Sequence, residues 1–579
     1  MRNQLRIPRP IPQSQNTSTR ISSIDLAQLF VGCTLTLIAT TLSDRFFTRA
    51  SAQQAQQSEK LKHFAIQVVD DQTGRGVPLV ELETIQHLMF ISDSQGWIAI
   101  DEPDLIDREV YFYVRSHGYE LAPDGFGNRG ARYRVQPGKE TRLKIHRNNR
   151  AERLYRTTGS GIYRDSWLLD KPIPTRYPLI NSDVVGSDSV LTAIYKDRVY
   201  WFWGDTSRSN YPLSGSFHMS GATTSVPSAD RFNTPRSNSD EPGQQDFTNQ
   251  LDFTENGISL ECFRDEQKVL RPLAVMPGEG PTWLTSVAVL PDSQGVQRMV
   301  ASYVKIRNSL EAYRWGYAQW DDSKNHFVEL VSFDERPVCF PDTQSHPILY
   351  GDTNSNGATS ASDAQTGNTN ETFLYFCSPF PFLRVKPTVD DFIRPERYQG
   401  YSCLQTHIGS SDPKLDRNPD GALKYAWKNQ TEPLSQRDQE KWIESGKLGS
   451  DEEVVRIRDR ATGKALRVHN GSLAWNEYRQ RWLMIFTELG GESSMLGEIW
   501  LAESPTLIGS WRDAVKILTH DRYSFYNPKH HSFMDIDGGK TIFFEGTYSH
   551  TFSGNTKPTP RYDYNQLMYR LDLSTLEND

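Results

Sequence analysis

VLTAIYKDRVYWFWGDT, Val190–Thr206, carries the reading of the fold. Two short runs rich in β-branched and aromatic residues flank Lys196-Asp197, the spacing of a hairpin with a two-residue turn. With that turn, Tyr195 faces Arg198, Val190 faces Trp203, and Asp188 falls opposite Asp205 at the open end. The same unit recurs down the chain. TSVAVLPDSQGVQRMVASYVKI (285–306) is followed by GYAQWDDSKNHFVELV (316–331), and ETFLYFCSPF (371–380) belongs to a third unit. SLAWNEYRQRWLMIFTEL (472–489), EIWLAES (498–504) and SWRDAVKIL (510–518) make a fourth, and SFMDIDGGKTIFFEGTY (532–548) with QLMYRLDL (566–573) a fifth. Five four-stranded units imply an all-β chain whose residues 180–573 form a five-bladed β-propeller. Polar runs at 351–371 and 409–465 read as surface insertions between strands, with helical periodicity only around Gln436–Ser445.

Composition agrees. The chain has 579 residues, enough for several cores, and its 13 Trp, 25 Tyr and 27 Phe suit strands. Net charge is −8, and residues 1–52 hold six Arg against Asp25 and Asp44, so the remainder carries −12. A surface that acidic repels phosphate backbones and excludes a nucleic-acid partner. Mean hydropathy of −0.61 excludes a polytopic membrane protein.

Upstream of the propeller, Leu26–Leu42 is apolar, follows a stretch with four Arg and no acid before Ile24, and precedes Ala50-Ser51-Ala52. Residues 1–52 therefore read as a signal peptide or an N-terminal membrane anchor, and either places the bulk of the chain outside the cytoplasm. Residues 53–61 read as a linker. Residues 62–147 alternate in short strands (FAIQVVD, VPLVELET, GWIAI, VYFYVRS, TRLKIHR) separated by Gly, Pro and Asp, the pattern of a small antiparallel β-sandwich. The run from Val69 to Val80, with Gly96 and Gly118-Tyr119, resembles prealbumin-like or carboxypeptidase-regulatory-like modules. Cys262, Cys339, Cys377 and Cys403 permit two disulfides or four free thiols, and no C-x₂-C spacing suggests zinc.

Asp188 opposite Asp205 is the chemical centre of this reading. Two carboxylates forced together beside aromatic surface should not both ionise, and such a pair suits acid/base work on a glycosidic bond. Glu498 and Glu545 are further candidate acids. His531 is expected opposite Glu545 and His469 near Glu488, where a His–carboxylate pair orients a sugar hydroxyl or holds a proton. Asp563 is a further substrate-binding candidate, with Arg561 as an expected salt-bridge partner. Asp352, Asn354, Asn356 and Asp363 sit at calcium-loop spacing around Gly357, so calcium is an option although the chemistry requires no cofactor.

Gly186-Ser187-Asp188 with Trp201-Phe202-Trp203-Gly204-Asp205-Thr206 resembles the opening of a family of bacterial five-bladed propeller glycosidases that includes endo-acting arabinofuranan hydrolases. Tyr526-Asn527-Pro528, Asp537-Gly538-Gly539 and Phe544-Glu545-Gly546-Thr547-Tyr548 resemble its last blade. The resemblance implies a secreted or membrane-anchored hydrolase of polysaccharides or oligosaccharides with Asp188 and Asp205 as its acids. The alternative is a non-catalytic carbohydrate-binding or adhesion protein.

Overall fold

The computed structural model describes residues 63–210, 218–227, 253–307, 310–351, 371–405, 414–509 and 511–576. The N-terminal apolar run and the Asp352–Asp363 loop lie outside them. Among the described residues no helix is long and apolar enough to cross a membrane. Their regular secondary structure is almost wholly strand.

Five antiparallel sheets follow one another along the chain. Their first strands are Val190–Tyr195, Thr282–Pro291, His346–Gly351, Val468–Asn476 and Ser524–His530. Each first strand neighbours the next, and the fifth returns to the first, so these strands line the axis of a closed ring. The ring is a five-bladed propeller.

Alternation along a strand explains why every blade is apolar on both faces. In blade one, Phe202 packs towards blade two with Tyr303 and Trp320, while Trp201 and Trp203 pack towards blade five with Phe543 and Met568. Separate cores fill the gaps between blades two and three, three and four, and four and five. Trp201 is fully buried and donates its indole N–H to Thr224 Oγ1 at 3.0 Å. We expect Trp201→Ala to cost about 3–5 kcal/mol, read as a drop in the midpoint of thermal unfolding.

Ring closure uses a strand from outside the 180–573 span. Glu152–Arg156 forms the outer strand of blade five, pairing with Asn565–Asp572 from the far end of the chain. The insertion at 409–465 is more ordered than its charge suggests. Ala426–Asn429 adds a fifth strand to blade three, Gln436–Glu444 is a helix capped by Ser435, and Arg458–Asp459 joins blade four in parallel.

Residues 64–147 form two four-stranded sheets around one apolar core. One pairing departs from the antiparallel expectation: Phe64–Asp70 runs parallel to Glu140–Arg147. Arg153 ties these sheets to the ring. Its buried guanidinium donates to the Pro78 carbonyl at 2.9 Å, to Ser116 Oγ at 3.2 Å and to the Tyr569 hydroxyl at 3.3 Å. Among the described residues, Cys262, Cys339, Cys377 and Cys403 are free thiols.

Candidate active site

The blade-one hairpin has the predicted register, Val190 opposite Trp203 and Tyr195 opposite Arg198. Lys196 and Asp197 both take positive φ, 48° and 59°, as a type I′ turn demands. Ladder pairing resumes below the hairpin with Ser187 opposite Thr206. Between the two lies a bulge. Ser189 sits at φ 42°, and the Gly204 N–H is shared by the carbonyls of Asp188 (2.9 Å) and Ser189 (3.1 Å). A bulge of this kind re-aims a side chain at a strand end. Asp188 N–H still donates to the Asp205 carbonyl at 3.1 Å, so the two acids remain neighbours.

Two glycines make room for them. A Cβ on Gly204 would stand 2.2 Å from Asp188 Oδ1, and one on Gly186 would stand 2.2 Å from the Tyr564 carbonyl. Both are sub-van-der-Waals approaches that no other residue permits. Gly204→Ala should therefore displace the Asp188 carboxyl while the hairpin core survives. The expected result is loss of most activity with a near-wild-type circular-dichroism spectrum. Full activity in a folded Gly204→Ala would show that Asp188 need not sit there.

The bulge is pinned from neighbouring blades. Asn470 Nδ2 donates to Asn527 Oδ1 (2.9 Å), and Asn527 Nδ2 donates to Ser189 Oγ (2.7 Å). The Ser189 N–H then donates to Thr547 Oγ1 (2.8 Å), which also accepts from Gln566 Nε2 (2.8 Å). This belt crosses blades four, five and one where their first strands begin.

Asp188 and Asp205 are partly buried, and each has its own donors. The Tyr526 hydroxyl donates to Asp188 Oδ2 at 3.3 Å, the Tyr564 hydroxyl also hydrogen-bonds Asp188, and Trp283 Nε1 donates to Asp205 Oδ1 at 3.0 Å. Burial, then the Asp205 charge, raises the Asp188 pKa well above the usual carboxylate range, against the pull of the two phenols. Burial raises Asp205 as well, with the Trp283 indole opposing it. The pair therefore holds a proton at pH values where ordinary carboxyls are bare.

The other sequence candidates fall elsewhere. Glu545 is fully buried, accepting from Thr157 Oγ1 at 2.6 Å and pairing with His531 Nε2 at 2.9 Å. Its cross-strand partner is Lys529, not His531 as the hairpin predicts, because the strand is irregular between Tyr526 and Lys529 and Ser532–Met534 coils into a 3₁₀ turn. Glu498, on the third strand of blade four, is held by Lys516 and by the Ser493 N–H at 3.3 Å. No hydrogen bond among the described residues joins Glu498 or Glu545 to Asp188 or Asp205. Val468, not His469, lies opposite Glu488, which instead accepts the Trp500 indole N–H at 2.9 Å. His469 Nδ1 is buried without a partner, and desolvation lowers that imidazole's pKa. Asp563 accepts from the His550 backbone N–H (2.7 Å), pairs with His550 Nδ1 (2.8 Å) and takes the Tyr523 hydroxyl; its partner is His550 rather than Arg561. Trp283, Tyr526 and Tyr564 were not separable in sequence from the many aromatics that pack blades.

No family model and no curated protein matches this chain. Solved structures do resemble it. An exo-β-1,3-galactanase from Phanerochaete chrysosporium, bound to β-1,3-galactotriose, aligns at 9% identity and TM-score 0.32, over 73% of this chain and 64% of its own length. A GH43_1 enzyme from Xanthomonas citri complexed with xylotriose aligns at 9% and 0.30, over 66% and 86%. An exo-1,5-α-L-arabinanase from a bovine ruminal metagenomic library aligns at 10% and 0.30, over 67% and 93%. The neighbours are glycoside hydrolases. At these scores the likeness carries no argument about chemistry, and the ring rests on the strand order itself.

Proposed function

We propose that this protein is an exported glycoside hydrolase acting on a polysaccharide through Asp188 and Asp205. The observation that supports it is the proton-sharing pair at the open end of the blade-one hairpin, each acid carrying its own fixed donor. Asp188, which takes the Tyr526 and Tyr564 hydroxyls, protonates the departing glycosidic oxygen. Asp205, held by Trp283, is the carboxylate that attacks the anomeric carbon or takes a proton from the attacking water. Tyr526 and Tyr564 stabilise Asp188 once its proton has left. The apolar run Leu26–Leu42 behind an arginine-rich start supports an extracytoplasmic location. The resemblance of Gly186–Asp188 and Trp201–Thr206 to endo-acting arabinofuranan hydrolases makes arabinofuranans the first substrates to try, beside xylans, galactans and sulfated glycans. The test is reducing-sugar release by the wild type and by folded Asp188→Asn and Asp205→Asn variants. Glycan binding without any release would favour a lectin-like protein instead.

A further inference from the structure

A cleft of about 360 Å³ lies away from the acid pair, between the N-terminal sheets, Lys171-Pro172 and the turn of the Phe253–Ile258 hairpin at Asn256. That volume is within the ~300–1,000 Å³ of small-ligand sites. Its floor is a row across three adjacent strands, since Trp97 and Arg142 both lie opposite Gln67. Cross-strand neighbours project from the same face, so the indole, the amide and the guanidinium stand side by side. The opposite face carries Ile66 and Val68, which are fully buried, so the row's outward direction is fixed by the core.

The walls are cationic. Arg75 is immobilised by donation to Asn256 Oδ1 (3.3 Å) and to the carbonyls of Arg153 (3.3 Å) and Leu154 (2.9 Å). Lys171 Nζ lies 4.2 Å from the centre of the Trp97 ring and bonds Glu140 at 2.5 Å. Arg142 is exposed and, among the described residues, makes no ion pair. No carboxylate lines the cleft. Behind the lining, Glu140 pairs with Lys171, and Asp93 accepts the backbone N–H groups of Gln95 (3.0 Å) and Trp97 (3.1 Å). Lys171 is paired with Glu140 and Arg75 is taken up by Asn256 and two carbonyls, so Arg142 is the cation of the cleft whose charge the described residues leave unpaired.

We propose that this cleft binds an oxyanion carried by a sugar, either a uronate carboxylate or a sulfate ester. Arg142 makes the charged contact, Gln67 bonds a neighbouring hydroxyl, and Trp97 offers an apolar edge to the ring. A guanidinium matches the planar fork of a carboxylate and the oxygens of a sulfate. The site is independent of the Asp188–Asp205 reading and would serve to hold an acidic polysaccharide against the protein.

The test is calorimetric titration of the full chain with trigalacturonate, with a sulfated galactose trisaccharide and with neutral galactotriose. The expected result is binding of at least one anionic ligand, weakened by salt, and weaker, salt-insensitive binding of the neutral one. Which anion binds identifies the group. Arg142→Ala and Lys171→Ala should each weaken that binding at least tenfold with unchanged thermal unfolding. An Asp188→Asn/Asp205→Asn double variant should bind as the wild type does, which separates this site from the hydrolase reading. Equal binding of the neutral sugar, no binding of either anion at millimolar concentration, or an unaffected Arg142→Ala would overturn the proposal.

Discussion

Asp188→Asn is expected to lower turnover by about 10²–10⁴-fold, the usual worth of a positioned general acid, and to stabilise the protein at alkaline pH. The two effects share one cause. Burial and the Asp205 charge raise the Asp188 pKa in the folded state. In the unfolded chain the carboxyl ionises near its ordinary value, so above ~pH 4 the native state binds the extra proton. Stability therefore falls as pH climbs from the unfolded pKa to the folded one, and the deficit persists above it. Asparagine does not ionise and removes that penalty. Thermal unfolding of Asp188→Asn should match the wild type at ~pH 4 and exceed it at ~pH 8, while glycan hydrolysis is lost at both. Asp205→Asn should likewise gain stability as pH rises and, by removing a neighbouring charge, move the remaining Asp188 titration to lower pH. A variant equally stable at both pH values would mean that Asp188 is not held protonated, and the acid role would go with it.

Much of this site was legible before any coordinates because a two-residue turn and strict alternation fix the hairpin register. Lys196-Asp197 is not a favoured type I′ pair, yet the aromatic run on one side and the β-branched run on the other leave no alternative turn that keeps both faces apolar. Gly186 and Gly204 were visible as a motif, but their reason was not. They are glycines because the Tyr564 carbonyl and the Asp188 carboxyl occupy the space of their missing Cβ atoms. The bulge at Ser189 leaves no trace in sequence, since a left-handed serine looks like any other.

Pairings that depend on a remote register were misjudged for the same reason. His531 was expected opposite Glu545, whereas left-handed Asn527, the following Pro528 and the 3₁₀ turn at Ser532–Met534 shift the ladder, leaving Lys529 there. The two side chains nonetheless meet, because His531 leaves the strand and folds back over it. Glu498 looked like a free acid because Lys516 reaches it across an irregular pair of strands that the sequence does not announce. Buried acids with nearby bases tend to be anchors, and only the partner distinguishes them from catalysts.

The closing strand leads to the other large effect. A chain beginning at Ala151 should retain a folded ring, and one beginning at Thr158 should not. Glu152–Arg156 has no alternating pattern that marks it as part of a propeller, yet all five of its residues are buried. Removing it strips the outer ladder from Asn565–Asp572 and leaves an unpaired edge open to aggregation. It also removes Leu154 and Tyr155, each 1% exposed, from the core shared with Trp201, Phe543 and Met568. Losing two such side chains costs about 2–5 kcal/mol each, which together approaches the ~5–15 kcal/mol that holds a typical domain folded. The same cut removes Thr157, one of the two partners of the buried Glu545 carboxylate, and leaves that charge half satisfied. Chains starting at Lys62, Ala151 and Thr158 can be compared by size-exclusion chromatography and thermal unfolding. The first two should elute as folded protein, the second with a lower midpoint because Arg153 has lost Pro78 and Ser116. The third should aggregate or melt below ambient temperature. An equally stable chain from Thr158 would show that the ring closes without the strand, through blade-to-blade packing alone.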